Sequence, residues 1–332
     1  MAITIKDIAE KLNVSVSTVS KGLNGASDIS EELRQVVIDT AIELGYKTKR
    51  MRKEENKKLC IFIENMDYES SNQFGYEIIL GFKQMATRDH WEVSLIPATA
   101  ALQSSEKYDN YMMRNGYSGS FMIGFALQDE WMEQLSKSKT PTVLLDNYIE
   151  QNPNIGYVGT DSREGISLAV DHLVKLGHKK IAFFSGSPNS MVTSDRYEAY
   201  MHSMAAHNLT VNTDMIAFGY YVAESARHHV PDLIASGATA IICGSDLMAA
   251  GAIQECIQRG YRIPEDISVV GFDDLPVASF IEPSLTTVRQ DRINLGKSAY
   301  YVLESLMNNV AISKANLRAQ LIKRDSTGPC RR

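Results

Sequence analysis

Apolar residues recur at spacings of three and four through the first 46 residues, the mark of short amphipathic helices. Ile5, Ile8, Ala9 and Leu12 share one helical face; Val16, Val19 and Leu23 mark a second helix; Leu33, Val36, Val37, Ala41 and Leu44 mark a third. Each stretch starts behind an oxygen-bearing residue, Thr4, Ser15 or Ser30, that can accept a bond from unpaired first-turn amides. Gly45 offers a positive-φ stop. The link Leu12-Asn13-Val14-Ser15 is short enough to force the first two helices to cross steeply, as in a helix-turn-helix unit. The second helix then projects Ser17, Thr18, Ser20, Lys21 and Asn24, a small polar face suited to a major groove about 12 Å wide. Helical trios also occur in proteins that never touch DNA.

Beyond residue 58 the pattern changes to apolar runs alternating with helical stretches. One series of strand-like runs covers 59–63, 92–96, 120–125 and 142–146, and a second covers 180–185, 238–243 and 267–271. Alternation of this kind predicts parallel βαβ units in two α/β lobes. Open sheets of this class bind ligands at the carboxyl ends of their strands, so a cleft between the lobes is the expected site. No Gly-x-Gly-x-x-Gly follows the first strand and no P-loop motif occurs. Gly186-Ser187-Pro188 lacks the frame of a nucleophile elbow, and the seven histidines have no companions at metal-binding spacing. No enzyme activity and no cofactor are expected.

Charge sharpens the division. The chain carries −6 overall, but its first 58 residues hold 11 Lys and Arg against 9 Asp and Glu, so a phosphate-binding surface belongs at the front end. Lys47, Lys49, Arg50, Arg52, Lys53, Lys57 and Lys58 crowd its last twelve positions. Composition leaves open whether this is a solvated linker or a tether that contacts phosphates. The start of the chain lacks a basic and apolar secretory pattern, and no apolar run approaches the roughly 20 residues of a membrane span, so a cytoplasmic address is expected. Cys60, Cys243, Cys256 and Cys330 show no paired spacing, which argues against a metal site.

The words of the sequence narrow the reading. Thr4-Ile5-Lys6-Asp7-Ile8-Ala9, Val14-Ser15-Val16-Ser17-Thr18-Val19-Ser20-Lys21-Gly22-Leu23-Asn24-Gly25, Ile29-Ser30-Glu31-Glu32-Leu33-Arg34 and Glu43-Leu44-Gly45-Tyr46 closely resemble the head of the lactose/galactose repressor (LacI/GalR) family. Val158-Gly159-Thr160-Asp161, His172-Leu173-Val174-Lys175-Leu176-Gly177-His178, Ile263-Pro264-Glu265-Asp266-Ile267-Ser268 and Pro283-Ser284-Leu285-Thr286-Thr287-Val288 extend the likeness over nearly the whole chain. The resemblance implies an all-α helix-turn-helix head (1–46), a basic hinge or linker (47–58) and an α/β periplasmic-binding-protein-like domain of two parallel-sheet lobes (59–332). It implies an N-lobe of about 59–159 and 290–319, and a C-lobe of about 160–289 and 320–332.

The same resemblance sets Val16, Ser17 and Lys21 toward base edges, and Ser15, Thr18, Ser20 and Asn24 toward phosphates, with Thr4, Ser30, Lys49 and Arg50 completing the DNA surface. Lys21 stands where many members carry Arg, and a lysine is a point charge rather than a planar fork. Glu55 stands where the family places a minor-groove wedge leucine, which argues against a folded, intercalating hinge. For the cleft, the resemblance implies Asp146, Arg196 and Asp273 as polar contacts, Tyr221 as an aromatic lid, Phe74 and Tyr76 on the facing lobe, and Ser245 where the family generally has Asn. Carboxylates, a guanidinium and an aromatic face suit a sugar or similar polyol. The neighbouring Asp246 reads as a helix N-cap. The expected protein is a homodimeric repressor of a near-palindromic operator, controlled by a small ligand. The end of the chain lacks heptads for a tetramer helix. The alternative is the solute-binding protein of a sugar transporter.

Overall fold

The computed structural model describes residues 3–24, 26, 28–46 and 57–331. Its head contains α1 (Ile5–Leu12), α2 (Val16–Leu23) and α3 (Glu31–Glu43). Ser15 Oγ accepts from Thr18 N at 3.0 Å and Ser30 Oγ from Leu33 N at 3.2 Å, so both serines cap as expected. Thr4 works the other way: its amide and hydroxyl both donate to Asp7, at 2.6 and 2.7 Å. Ile8, Ala9, Val19, Val37 and Ala41 form the buried centre. Val36 lies outside it, 46% exposed, because the buried stripe of α3 runs through Val37, Ile38 and Ala41, one helical step around. Gly22 lets α2 close on α3, since a Cβ there would stand 2.9 Å from Val37 Cγ1.

The rest of the chain builds two six-stranded sheets. The first is assembled from β1 (Lys57–Ile63), β2 (Trp91–Pro97), β3 (Gly119–Ile123), β4 (Thr142–Leu145), β5 (Ile155–Thr160) and β11 (Lys314–Leu317), in the order β11-β5-β4-β3-β1-β2. The second takes β6 (Ile181–Ser185), β7 (Ile216–Phe218), β8 (Ala240–Cys243), β9 (Ser268–Asp273), β10 (Thr286–Arg289) and β12 (Gln320–Ile322), in the order β12-β10-β9-β8-β6-β7. Among the described residues only the β10–β12 pair is antiparallel. The first sheet is covered by α4 (Phe74–Arg88) and α13 (Arg292–Met307) on one face, and by α5 (Ala100–Ser105), α6 (Tyr108–Asn115) and α7 (Glu130–Gln134) on the other. The second is covered by α8 (Ser162–Lys175) and α9 (Met191–Ala206) on one side, and by α10 (Ala226–Ala235), α11 (Asp246–Gln258) and α12 (Val277–Phe280) on the other. The chain passes between the sheets after β5, after β10 and after β11, so both sets of strand ends converge on one cleft.

β1 begins at Lys57, two residues before the apolar run. Lys57 lies over the Trp91 ring at 5.2 Å and Lys58 pairs with Glu92 at 3.8 Å, so these two cations belong to the sheet rather than to a tether. Lys49, Arg50 and Glu55, with the question of a hinge helix, lie outside the described residues. Strand β5 escaped the apolar pattern because Gly156 and Gly159 interrupt it. A Cβ at 156 would stand 2.6 Å from Val302 Cγ1 of α13.

Helices α4 and α13 meet backbone to backbone. A Cβ at Gly81 would lie 2.1 Å from Ile293 O, and one at Gly296 1.9 Å from Ile78 O, and neither carbonyl is free to swing away. Gly296→Ala should therefore destabilise the chain by about 1–3 kcal/mol or more, seen as an earlier urea transition at unchanged slope. An unchanged midpoint would show that the helices can part without loss.

Candidate functional site

On the head, α2 presents Val16 (39% exposed), Ser17 and Lys21 to solvent. Lys21 pairs with Asp28, whose carboxyl it draws below the ordinary range. A phosphate or base edge must displace that partner. Asn24 Nδ2 turns back to Ser20 O at 2.7 Å, and Ser15 and Thr18 share their hydroxyls at 2.8 Å. Thr18, Ser20 and Asn24 therefore spend part of their bonding capacity inside the helix, which fixes the direction of the remainder. Ser30 caps α3, and Thr4 precedes α1 with its amide and hydroxyl on Asp7, as described.

The cleft gathers Asp146 from the end of β4, Asp273 from the end of β9 and Arg196 from α9. Arg196 sits in the second turn of its helix. It is 3% exposed, donates from Nη1 to Gly244 O at 2.7 Å, and stacks its guanidinium 3.8 Å above the Phe272 ring. Asp273 Oδ1 accepts from Gln290 Nε2 at 2.7 Å, while Arg292 Nη1 holds the Asp273 carbonyl at 2.7 Å. Burial pushes Asp146 up to about 6; Arg196 opposes the shift, and Asp273 and Asp195 add to it. Burial likewise pushes Asp273 up to about 6 against the pull of Arg196. Two carboxylates from two lobes thus feel the charge of one guanidinium, which forms no ion pair within 4 Å among the described residues.

The backbone points to the same place. Asp146 (φ 57°), Tyr221 (φ 60°), Asp273 (φ 118°) and Asp274 (φ 54°) are all left-handed without being glycine, a costly state that collects at binding sites. Tyr221 lays its ring on Gly186, where a Cβ would come within 1.9 Å, and shares its hydroxyl with Thr193 Oγ1 at 2.6 Å, one turn before Arg196. Three polar atoms near the strand ends, Ser185 Oγ, Gln290 Oε1 and, on α9, Arg196 Nε, are buried without a partner among the described residues. Buried polar atoms are normally bonded, so they mark an unfilled demand.

Other expected contacts stand apart. Ser245 Oγ caps α11 by accepting from Met248 N at 3.2 Å. Asp246 is not the cap: it is fully buried and accepts from Leu275 N at 2.6 Å and from the Thr287 hydroxyl, which binds the strand ends of the C-lobe together. Phe74 packs against the N-lobe core and Tyr76 is 38% exposed; among the described residues, no hydrogen bond or ring contact joins either to the Asp146 cluster. Ser185, Thr193, Gln290 and Arg292 were missed. For Ser185 the signal was available, since it closes the predicted strand 180–185. Gln290 and Arg292 sit on the crossing that the resemblance places at 289–290, but nothing along the chain singles out their side chains. Among the described residues no group of His, Cys, Asp or Glu could hold a metal, and no helix is long and apolar enough to cross a membrane.

A trihelical reader joined to a two-lobed receptor is the architecture of a ligand-responsive DNA-binding protein. Residues 4–49 match the model of bacterial regulatory proteins of the lacI family, and residues 170–327 match the periplasmic binding protein-like domain. The chain is 27% identical to the HTH-type transcriptional repressor PurR of Aliivibrio salmonicida, over 90% of its own length and 91% of the relative's. It is 28% identical to catabolite control protein A of Priestia megaterium, over 95% and 96%. Among solved structures it superimposes on the Lac repressor dimer bound to operator and the anti-inducer ONPF with a TM-score of 0.71 at 25% identity, covering 99% of this chain and 100% of that one. A CelR–cellobiose complex shares the fold, with a TM-score of 0.72 at 22% identity over 98% and 99%. The chain belongs to the LacI/GalR family: it is a transcriptional regulator with a DNA-binding head and a ligand-binding body. A free-standing solute-binding protein is not favoured, because the head is a DNA-binding module.

The raised carboxyls set a pH dependence. Because both are harder to ionise in the folded chain than in the unfolded one, their effect on stability is absent below about pH 4 and grows more unfavourable as pH rises to about 6. Asp146→Asn, which tolerates the same left-handed backbone, should raise the melting temperature of the ligand-free protein by a few degrees at pH 7 and leave it unchanged near pH 4. A variant that melts earlier at pH 7 would mean that the ionised carboxylate is a stabilising partner.

Proposed function

We propose that the protein is a homodimeric repressor whose grip on a near-palindromic operator is set by a sugar or sugar derivative bound between the lobes. The observation that carries this is the Asp146–Arg196–Asp273 cluster, contributed by strand ends of both lobes and by α9, largely removed from solvent and bordered by unpartnered hydrogen-bonding atoms. Hydroxyl groups donating to the two carboxylates and accepting from Arg196 Nε would meet that demand, and Tyr221 offers a face for the CH surface of a sugar ring. A ligand that bridges Asp146 and Asp273 favours the closed arrangement of the lobes, and closure changes the spacing of the heads. The relatives support the same class: CelR is described with cellobiose and the Lac repressor with ONPF.

Dimerisation rests on a second observation. Tyr220, Val222, Leu247, Ile257 and Phe280 are exposed apolar side chains on three adjoining segments of the C-lobe, and Phe280 is 85% exposed. The Lac repressor on its operator is a dimer. A second copy seated there would place two heads on one duplex, with half-sites about one helical turn apart or a multiple of it. Phe280→Glu should therefore give a monomer in sedimentation and weaken operator binding sharply; a stable dimer would move the interface elsewhere.

Selection from randomised duplexes should return a symmetric site. Lys21→Ala should cost about 1–3 kcal/mol at that site and relax base preference at the position it faces. Protein that favours no symmetric duplex over scrambled competitor would overturn the reading. Ligand and operator must also change each other's Kd by the same factor.

A further inference from the structure

Beside the Asp146 cluster, on the α8–α9 side of the C-lobe, a cavity of about 520 Å³ opens between the lobes. The N-lobe lines it with Tyr148, Glu150, Tyr157 and Lys314, and the C-lobe with Asp195 and Glu198 of α9. Thr160 and Asp161 form its floor at the first crossing, with Arg163 at the rim. Four carboxylates therefore face two cations. Asp161 is occupied in capping α8, accepting from Glu164 N at 2.9 Å. Among the described residues, Glu150, Asp195 and Glu198 form no ion pair within 4 Å.

Two further observations point to a ligand. Thr160 is 3% exposed, and its hydroxyl has no partner among the described residues although it lines this cavity. The pocket also already seats an ammonium group: Lys314 Nζ stands 3.9 Å from the Tyr148 ring centre and 5.8 Å from that of Tyr157. Aromatic faces with uncompensated carboxylates favour a cation that carries hydrogen-bond donors. Burial and the nearby Glu198 raise the Asp195 carboxyl, with Lys314 opposing, so added positive charge here is stabilising. Tyr157 joins this chamber to the inner cluster, since both its hydroxyl and Asp146 Oδ1 lie against Gly159.

We infer that this chamber is an outer subsite that selects an amine-bearing saccharide, its ammonium held by Asp195, Glu198 and Glu150 and its hydroxyls reaching Thr160 and Asp146. The inference rests on the sugar reading of the cleft and adds the charge of the ligand. The cavity volume accommodates a second ring beyond the one at Arg196.

Titration calorimetry on the full-length protein with matched pairs tests it: glucose against glucosamine, and cellobiose against the β-1,4-linked glucosamine disaccharide. The amine member of a pair should bind about tenfold more tightly, which corresponds to about 1.4 kcal/mol. Asp195→Asn with Glu198→Gln, both on the exposed flank of α9, should erase that preference, so that each amine and its neutral twin bind with equal affinity. Lys314→Gln removes the resident cation and should strengthen amine binding, a gain that misfolding cannot mimic. Equal binding of both twins would overturn this inference alone. No heat from any saccharide would overturn it together with the sugar reading, and preference for the amine that survives the double variant would place the selective contact elsewhere.

Discussion

Asp146 and Asp273 arrive from different sheets and both feel the charge of Arg196, with Asp273 and Arg196 buried and Asp146 half-buried. An isolated buried carboxylate is among the costliest groups a fold can hold, and two of them beside one guanidinium leave charge unbalanced. Every feature around them limits that cost. Gln290 and Arg292 bond Asp273, and Phe272 supports the guanidinium. The remainder is left to whatever enters the cleft. Two carboxylates beside one guanidinium make the site sensitive to any group that supplies hydrogen-bond donors or positive charge.

The scaffold makes that tension mechanical. Because the chain crosses between the lobes three times, neither lobe can move without the other sensing it. Arg292 shows how: it begins α13, which packs in the N-lobe, yet it holds the backbone of Asp273 and Asp274 in the C-lobe and pairs with Glu77 of α4 at 2.8 Å. At the third crossing Glu164 of α8 accepts from Arg318 at 2.7 Å and Ala319 N at 2.9 Å. On the N-lobe, Gly81 and Gly296 bring α4 and α13 too close to slide. A change at the cleft is thus carried by the lobes as whole bodies. The head touches the N-lobe through Met113 and through Asn110, which donates to Gln35 at 3.3 Å. Reorientation of the N-lobe therefore reaches the DNA-reading surface by a short route.

Much of this was legible in the chain. The three head helices follow from spacing and caps, because local bonding and one apolar stripe decide a short helix. Parallel lobes follow from alternation, and Asp146 and Asp273 follow from their position at strand ends. Errors arose where local pattern competes with packing. Val36 is as apolar as Val37 but lies one step around α3. Asp246 has the composition of a cap, yet Ser245 caps and Asp246 serves as an internal bolt.

What the sequence by itself determined is the inventory: a small polar reading helix, two parallel-sheet lobes, and the carboxylates, guanidinium and aromatic group of the cleft. Their identities are set by residue chemistry and by periods of two and 3.6, which act over a few neighbours. Only the tertiary structure decided which of them meet. It brought Asp146 within electrostatic reach of Arg196 across fifty residues, left Phe74 against the N-lobe core and Tyr76 at the surface, and set Thr160, Tyr157 and Lys314 around a chamber that no motif announces. The reason is that crossings and close helix contacts depend on distant partners, and distance along the chain carries no local signal.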